Sequence, residues 1–344
     1  MKVNQENSFF SKTFLLLLLC LTLTWSSWAK ISVFMAAEYA KGQEDTSFSL
    51  GSFQRPQLGA SFAEAINPQL DFYGQFYLVG RDEIQLDEAW LRWRFSSKLT
   101  TIFGLYLVPF GYYNENSLPY QSSLIRQPLT YEYILPYRWR DMGVVVLGSW
   151  GDFSYWLYLG NGLTEASSLA EGQQFIDHNR NKAIGGKITW ELGQGFQLGY
   201  SRQQGKYDDQ GQRQLVLDGY HLAWRGKNSS LIGEYILGSL EVPSAFAQGK
   251  AKGIYLQASL TLFGLRPVVS FQEINYRDEF HGPGFTAPSF PGQGIDWERQ
   301  RWTLGLIYPL VDKVYFKFEY DWNKNRKDET KKDDTYFFQV TLVF

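Results

Sequence analysis

The sequence has almost no sulfur and little imidazole: one Cys, three Met and three His in 344 residues. With a single cysteine, Cys20, no disulfide can form within the chain, and neither a haem-attachment Cys-x-x-Cys-His nor a thiolate metal cluster is available. The histidines, His178, His221 and His281, are scattered, so no base is placed for a Ser-His-acid hydrolase, and no Gly-x-Ser-x-Gly or Gly-x-x-x-x-Gly-Lys-Ser/Thr occurs. No catalytic, cofactor or metal site is expected. An excess of one charge is lacking too. The formal net charge is -2, which gives no reason to expect nucleic acid as a partner. Beyond the N-terminus there is no run of about 18 apolar residues, and the mean hydropathy is -0.29, which excludes a bundle of membrane helices.

Rings are abundant: 26 Phe, 22 Tyr and 12 Trp, or 17% of the chain against 20% charged residues. Such a chain is too rich in β-forming residues to stay disordered. Its first 29 residues read as a leader: Lys2 and Lys12 precede an apolar core over 14–23, and Ser27-Trp28-Ala29 places small residues at -3 and -1 of a cleavage site. The core is about half the length of a membrane span. Cleavage there removes Cys20 and leaves a mature chain, 30–344, without cysteine in an oxidising compartment.

Over the mature chain the dominant signal is period-two alternation in segments of about ten residues, the length of a strand crossing a bilayer. In the last segment Tyr336, Phe338, Val340, Leu342 and Phe344 share one face, and Thr335, Gln339 and Thr341 the other. Residues 315–323 repeat it, with Phe316, Phe318, Tyr320 and Trp322 opposed to Lys317, Glu319, Asp321 and Asn323. Alternation alone also suits a soluble sandwich. Two further features point to a membrane barrel. Apolar faces begin or end in rings, as in 302–308, 220–224, 196–200 and 184–190, which suits girdles at headgroup depth. Short connections (67–69, 96–98, 151–152, 193–195, 226–228, 263–264 and 311–313) alternate with mostly longer ones (109–141, 162–181, 204–213, 238–252, 277–298 and 324–334). The expected fold is an all-β, transmembrane, antiparallel up-and-down barrel of about 16 strands, with short periplasmic turns and long extracellular loops. No linker divides it.

Four blocks carry a more specific likeness. Leu70-Asp71-Phe72-Tyr73-Gly74, then residues 87–94 around Trp90-Leu91-Arg92-Trp93-Arg94, then Gly104 to Pro109-Phe110-Gly111, and then Arg140-Asp141-Met142-Gly143 resemble, in order, segments of the phosphate-selective porin O/P-like family of Gram-negative outer-membrane porins. The blocks cover about residues 70–162; the remainder matches as any barrel would. The resemblance implies a homotrimeric channel of sixteen strands, surrounded by outer-membrane lipid and lipopolysaccharide, with Phe344 as the insertion signal read by the barrel assembly machinery. It implies passive diffusion of ions and small hydrophilic solutes, anions such as phosphate among them. Family members that select phosphate carry a lysine cluster on the constriction loop, whereas no lysine lies between Lys98 and Lys182 here, and Arg126, Arg138, Arg140 and Arg180 are accompanied by carboxylates.

If the ringed faces meet lipid, the opposite faces line the lumen and bring in Arg92, Arg94, Lys187, Arg225, Arg301, Lys317 and Glu319, with His221 as a solvated wall residue. Each is read either as a solvated, pore-lining charge or as one paired with a neighbour across strands, stiffening the wall. The loop 109–141, with seven Tyr and Trp residues from Tyr112 to Trp139 and with Arg126, Arg138 and Arg140, is the expected constriction, folded into the barrel. Two other readings stay open: a barrel that sheathes a periplasmic partner such as a redox protein, and an outer-membrane enzyme.

Overall fold

The structure, a computed structural model, describes residues 30–79, 83–96, 98–164, 166, 169–177, 180–241, 249–276, 298–326 and 329–344. The leader, His178, His281 and the whole connection 277–297 lie outside the described residues.

Sixteen antiparallel strands follow the chain in order round one closed barrel. They are β1 (Lys30–Gly42), β2 (Ser52–Asn67), β3 (Leu70–Val79), β4 (Glu83–Ser96), β5 (Leu99–Leu107), β6 (Arg140–Trp150), β7 (Phe153–Gly160), β8 (Ala183–Gly193), β9 (Phe196–Lys206), β10 (Gln214–Arg225), β11 (Ser229–Leu240), β12 (Gly249–Leu260), β13 (Arg266–Tyr276), β14 (Glu298–Val311), β15 (Val314–Asn325) and β16 (Thr335–Val343). The seam runs from Phe34 opposite Val343 to Gly42 opposite Thr335. Its last rung is Phe344, whose N–H donates to the Val33 carbonyl at 2.8 Å. Closure leaves no free sheet edge, which a strand array in lipid requires because an unpaired backbone group there has no water to bond.

Connections sort by end as the sequence pattern predicts. At the end where β1 starts and β16 finishes they have two to five residues, and at the other end three to 32. The three-residue link between β3 and β4 is the exception on the long side. Tight turns use left-handed backbone: in Phe263-Gly264 both central residues have positive φ (52° and 80°), whose twist matches the flanking strands.

The faces also sort. Along β14, Trp302, Leu304, Leu306 and Tyr308 point outward and are exposed, while Arg301 and Thr303 point inward and are buried. On β15 and β16 the inward rows are Lys317, Glu319, Asp321 and Thr335, Gln339, Thr341, all buried. A water-soluble barrel would invert this. Rings form stacked pairs across strands near the short turns: Phe153 with Trp190 at 5.3 Å and Phe196 with Trp224 at 5.6 Å. Pairs at the opposite end include Phe271 with Trp302 at 4.9 Å and Tyr320 with Tyr336 at 4.4 Å. The two rows bracket an apolar belt.

Because Leu304 lies mid-strand on that belt, Leu304→Arg should cost about 2–4 kcal/mol in lipid. Urea titration of the refolded barrel in vesicles reads this directly, and a midpoint unchanged by the arginine would contradict an outer face in lipid.

Candidate functional site

Between β5 and β6 the chain leaves the wall and enters the lumen. The turn inward follows from local sequence. Pro109 cannot donate to the ladder, and Gly111 takes φ 64°, where a Cβ would run into the Glu234 carboxylate and lie 2.9 Å from the Tyr131 hydroxyl. Asn114 staples the stem of the loop: its side-chain amide donates to the carbonyls of Val108 (2.8 Å) and Trp139 (3.0 Å) and accepts from the Trp139 N–H at 2.7 Å.

A loop crossing a lumen carries backbone N–H groups that no ladder satisfies, and inward side chains of four strands take them up. Ser201 on β9 accepts from Gly111 N–H at 3.0 Å. Glu234 on β11 accepts from the N–H groups of Tyr112 (2.5 Å) and Tyr113 (3.2 Å) and from the Tyr131 hydroxyl at 3.3 Å. Glu319 on β15 accepts from Ile125 and Arg126 N–H at 2.5 and 3.3 Å. On the same strand Lys317 donates to the carbonyls of Pro119 and Ser122 at 2.5 and 2.6 Å. One short helix, α1 (Leu129–Tyr133), sits in the loop, and Gln272 on β13 accepts its first N–H, from Leu129, at 2.9 Å.

Apolar packing fills the gaps. Phe110, Tyr113, Leu129, Tyr131, Ile134, Leu135 and Trp139 form one buried cluster with Leu217, Ile236, Tyr255 and Ile274 of the wall. Gly253 on β12 makes a seat for Thr130, since a Cβ there would lie 2.5 Å from the Thr130 methyl. On the opposite side Leu118 packs against Phe34 and Tyr77 of β1 and β3.

The sequence-derived charges are distributed over this frame. Arg92 and Arg94 share Asp71 of β3, at 2.6 and 2.8 Å, and remain about a third to two-fifths exposed. Arg138, at the loop's end, is buried against Asp87 of β4, which also takes Arg140 at 3.2 Å. β6 begins at Arg140, so the loop closes at residue 139 and both Arg140 and Asp141 belong to the wall. Lys187 pairs with Glu115. Arg225 donates from Nε to the Tyr112 hydroxyl at 3.0 Å. Arg301 on β14 bonds Glu132 at 3.1 Å and lies 3.4 Å from Asp321; Arg126 reaches the same Glu132 at 2.9 Å. Lys317 and Glu319 face inward but are sealed beneath the loop. His221 is not solvated. It is buried on Gly199 and Tyr112, because a glycine opposite leaves room for the ring.

Arg55 escaped the sequence reading. It precedes Pro56, which cannot donate to the ladder, and β2 bulges there: Ala36 opposes Gln57 while Glu38 opposes Gln54. With φ 47° the bulge brings Arg55 to the cavity that also contains Glu38, Asp87, Arg138 and Arg140. Pro56 inside an alternating run was the available signal.

Two cavities flank the loop. One, about 270 Å³, opens toward the long connections and holds the Arg55 group. The other, about 260 Å³, opens toward the short turns and is walled by Arg225, Ser230, Ser259 and Arg266. Tyr113 and Ser122 line both. The loop is therefore the partition of the lumen. Among the described residues no group of three or more His, Cys, Asp or Glu is placed to hold a metal ion.

Known proteins share this architecture. The OmpF structure from Salmonella typhi, solved with daunomycin, superposes with TM-score 0.66 at 14% identity, over 92% of this chain and 97% of that one. An anion-selective porin from Comamonas acidovorans gives TM-score 0.65 at 11% identity, over 92% and 100%. The trimer form of OmpT from Vibrio cholerae gives 0.63 at 9%, over 92% and 99%. At these identities the likeness is one of fold: a porin-like closed barrel of sixteen strands. An uncharacterized protein of Aquifex aeolicus is 25% identical over 320 residues, covering 83% of this chain and 72% of its own. No protein-family model matches the chain.

Glu132 ties the loop to the wall through two arginines. Burial pushes its carboxyl up, but Arg301 and Arg126 pull harder and hold it down at about 2. A carboxylate held below its ordinary value contributes stability above that ordinary value and loses it as the pH falls toward 2. Hydrogen exchange over residues 125–134, taken relative to the intrinsic amide rate at each pH, should therefore stay slow from neutral pH to about 4 and quicken toward 2. Glu132→Gln should make it fast already at pH 7, costing about 3 kcal/mol through the uncompensated arginines. Equal protection in wild type and variant would rule out this pair as an anchor.

Proposed function

We propose that this chain is a Gram-negative outer-membrane porin, a channel through which ions and small hydrophilic solutes, phosphate among the anions, diffuse down their gradients without catalysis or cofactor. The reading is carried by one observation: a closed barrel with an apolar outside and a charged inside, crossed by a loop whose backbone is bonded to the inner wall. Charges in such a lumen are tolerable because water reaches them or because they are paired. Export through residues 1–29, insertion by the barrel assembly machinery with Phe344 as its signal, and a homotrimer among outer-membrane lipid and lipopolysaccharide complete the proposal.

In this reading the loop is the constriction. Arg55 lines the long-connection cavity together with Glu38, Asp87 and the Arg138–Arg140 pair, so both signs face the passing solute. Pairing of Arg138 and Arg140 with Asp87 blunts anion preference and supports weak selectivity. Sheathing a redox protein has less support, because the middle of the lumen is occupied by the chain's own loop.

Planar-bilayer recording of the mature protein tests the proposal, with discrete ohmic steps expected. Since Tyr113 lies between the two cavities, Tyr113→Ala should raise single-channel conductance by about twofold. A folded, heat-modifiable barrel that passes no current would overturn the channel reading.

A further inference from the structure

The cavity toward the short turns differs in chemistry from everything else in the lumen. Most inner-wall cations described above have a carboxylate: Arg92 and Arg94 have Asp71, Arg138 has Asp87, Lys187 has Glu115 and Arg301 has Glu132. Among the described residues Arg225, Lys227 and Arg266 do not, and none of the described residues that line their cavity is Asp or Glu. Arg225 is oriented by the Tyr112 hydroxyl at 3.0 Å, and Arg266 by the Thr261 hydroxyl at 3.3 Å, neutral partners that fix the guanidinium without cancelling its charge. Between the two arginines, on adjoining strands, lie Ser230 and Ser259 with their hydroxyls 2.8 Å apart. The register runs Arg225 to Ser230, Ser230 to Ser259, and Ser259 to Val268, two residues from Arg266, so about three strand spacings, roughly 14 Å, separate the arginine-bearing strands.

Apart from Ile232 and Gly226, the rest of the lining is amide, hydroxyl and phenol, including Asn116, Gln121, Gln257 and Tyr255. A volume of about 260 Å³ is at the small end for a ligand site. Arginine matches the geometry of a carboxylate or phosphate, whereas paired hydroxyls and amides match a polyol. The geometry points to a binding site, on the short-turn side of the loop, for a monosaccharide-sized polyol that carries one anionic group, carboxylate or phosphate. This deepens the porin reading and rests on it for its physiological direction, since the short turns would then face the periplasm.

The test uses the full mature protein in detergent and in bilayers. Calorimetric titration reads the site without requiring conduction, with gluconate and glucose 6-phosphate as probes, and with glucose and inorganic phosphate each supplying only half of the chemistry. Saturable binding is expected for at least one of the two complete probes, at least about tenfold tighter than for either half, and about tenfold weaker again in Arg225→Gln/Arg266→Gln. Which complete probe is preferred separates the carboxylate from the phosphate. Ser230→Ala/Ser259→Ala should weaken the complete probe while leaving inorganic phosphate unchanged, a separation that misfolding would not produce. Inorganic phosphate binding as tightly as both complete probes, or arginine and serine variants indistinguishable from wild type, would overturn the site. In bilayers the preferred probe should reduce current more from the short-turn side than from the other. Titration without any conductance would leave the site standing and defeat the channel instead.

Discussion

Everything inside this barrel depends on how a stretch of backbone without a ladder is kept from being orphaned. Residues 108–139 run through a space where strand partners are absent, and each buried N–H left there unpaired would carry its full desolvation cost. The wall meets this demand with side chains. Ser201, Glu234, Gln272 and Glu319, from four strands, accept amides of the loop, and Lys317 donates to its carbonyls. Charged residues that a wet pore would leave free are thereby converted into parts of a second, internal framework. Among the described residues, Arg55 on one side and Arg225 with Arg266 on the other line the cavities that this framework leaves open.

Legibility in the sequence follows from the range of the interaction. The outer belt was readable because strand periodicity is local: a side chain's face depends on parity alone, and Trp302, Leu304 and Tyr308 stand where parity puts them. Turn positions and strand number were readable for the same reason. Parity also told which charges point inward. It could not tell their partners, because Glu319 meets Ile125 across 194 positions and Arg301 meets Glu132 across 169. His221 shows a second blind spot, since its burial depends on Gly199 on the neighbouring strand rather than on its own surroundings in sequence. Arg55 shows a third: one extra residue at a bulge breaks the parity on which the reading depends.

The block from Gly104 to Gly111 acquires a physical meaning beyond resemblance. Gly104, with φ 131°, lets the end of β5 approach the backbone of Ala89 and Trp90, and Gly111 redirects the chain beside Glu234. Two glycines and one proline thus decide where a strand stops being wall and becomes content.

The anchoring of the loop has a consequence for the order of events during assembly. Residues 108–139 precede β9, β11, β13 and β15, the strands that receive their amides, and 90 to 194 positions in the chain separate the bonded pairs. Until those strands are in place, the loop's amides and its cluster of rings lack the partners they have in the closed barrel. Sealing of β1 against β16 then encloses a passenger that can no longer be threaded from outside. The wall and the interior of this molecule therefore share one set of contacts, and neither is complete without the other.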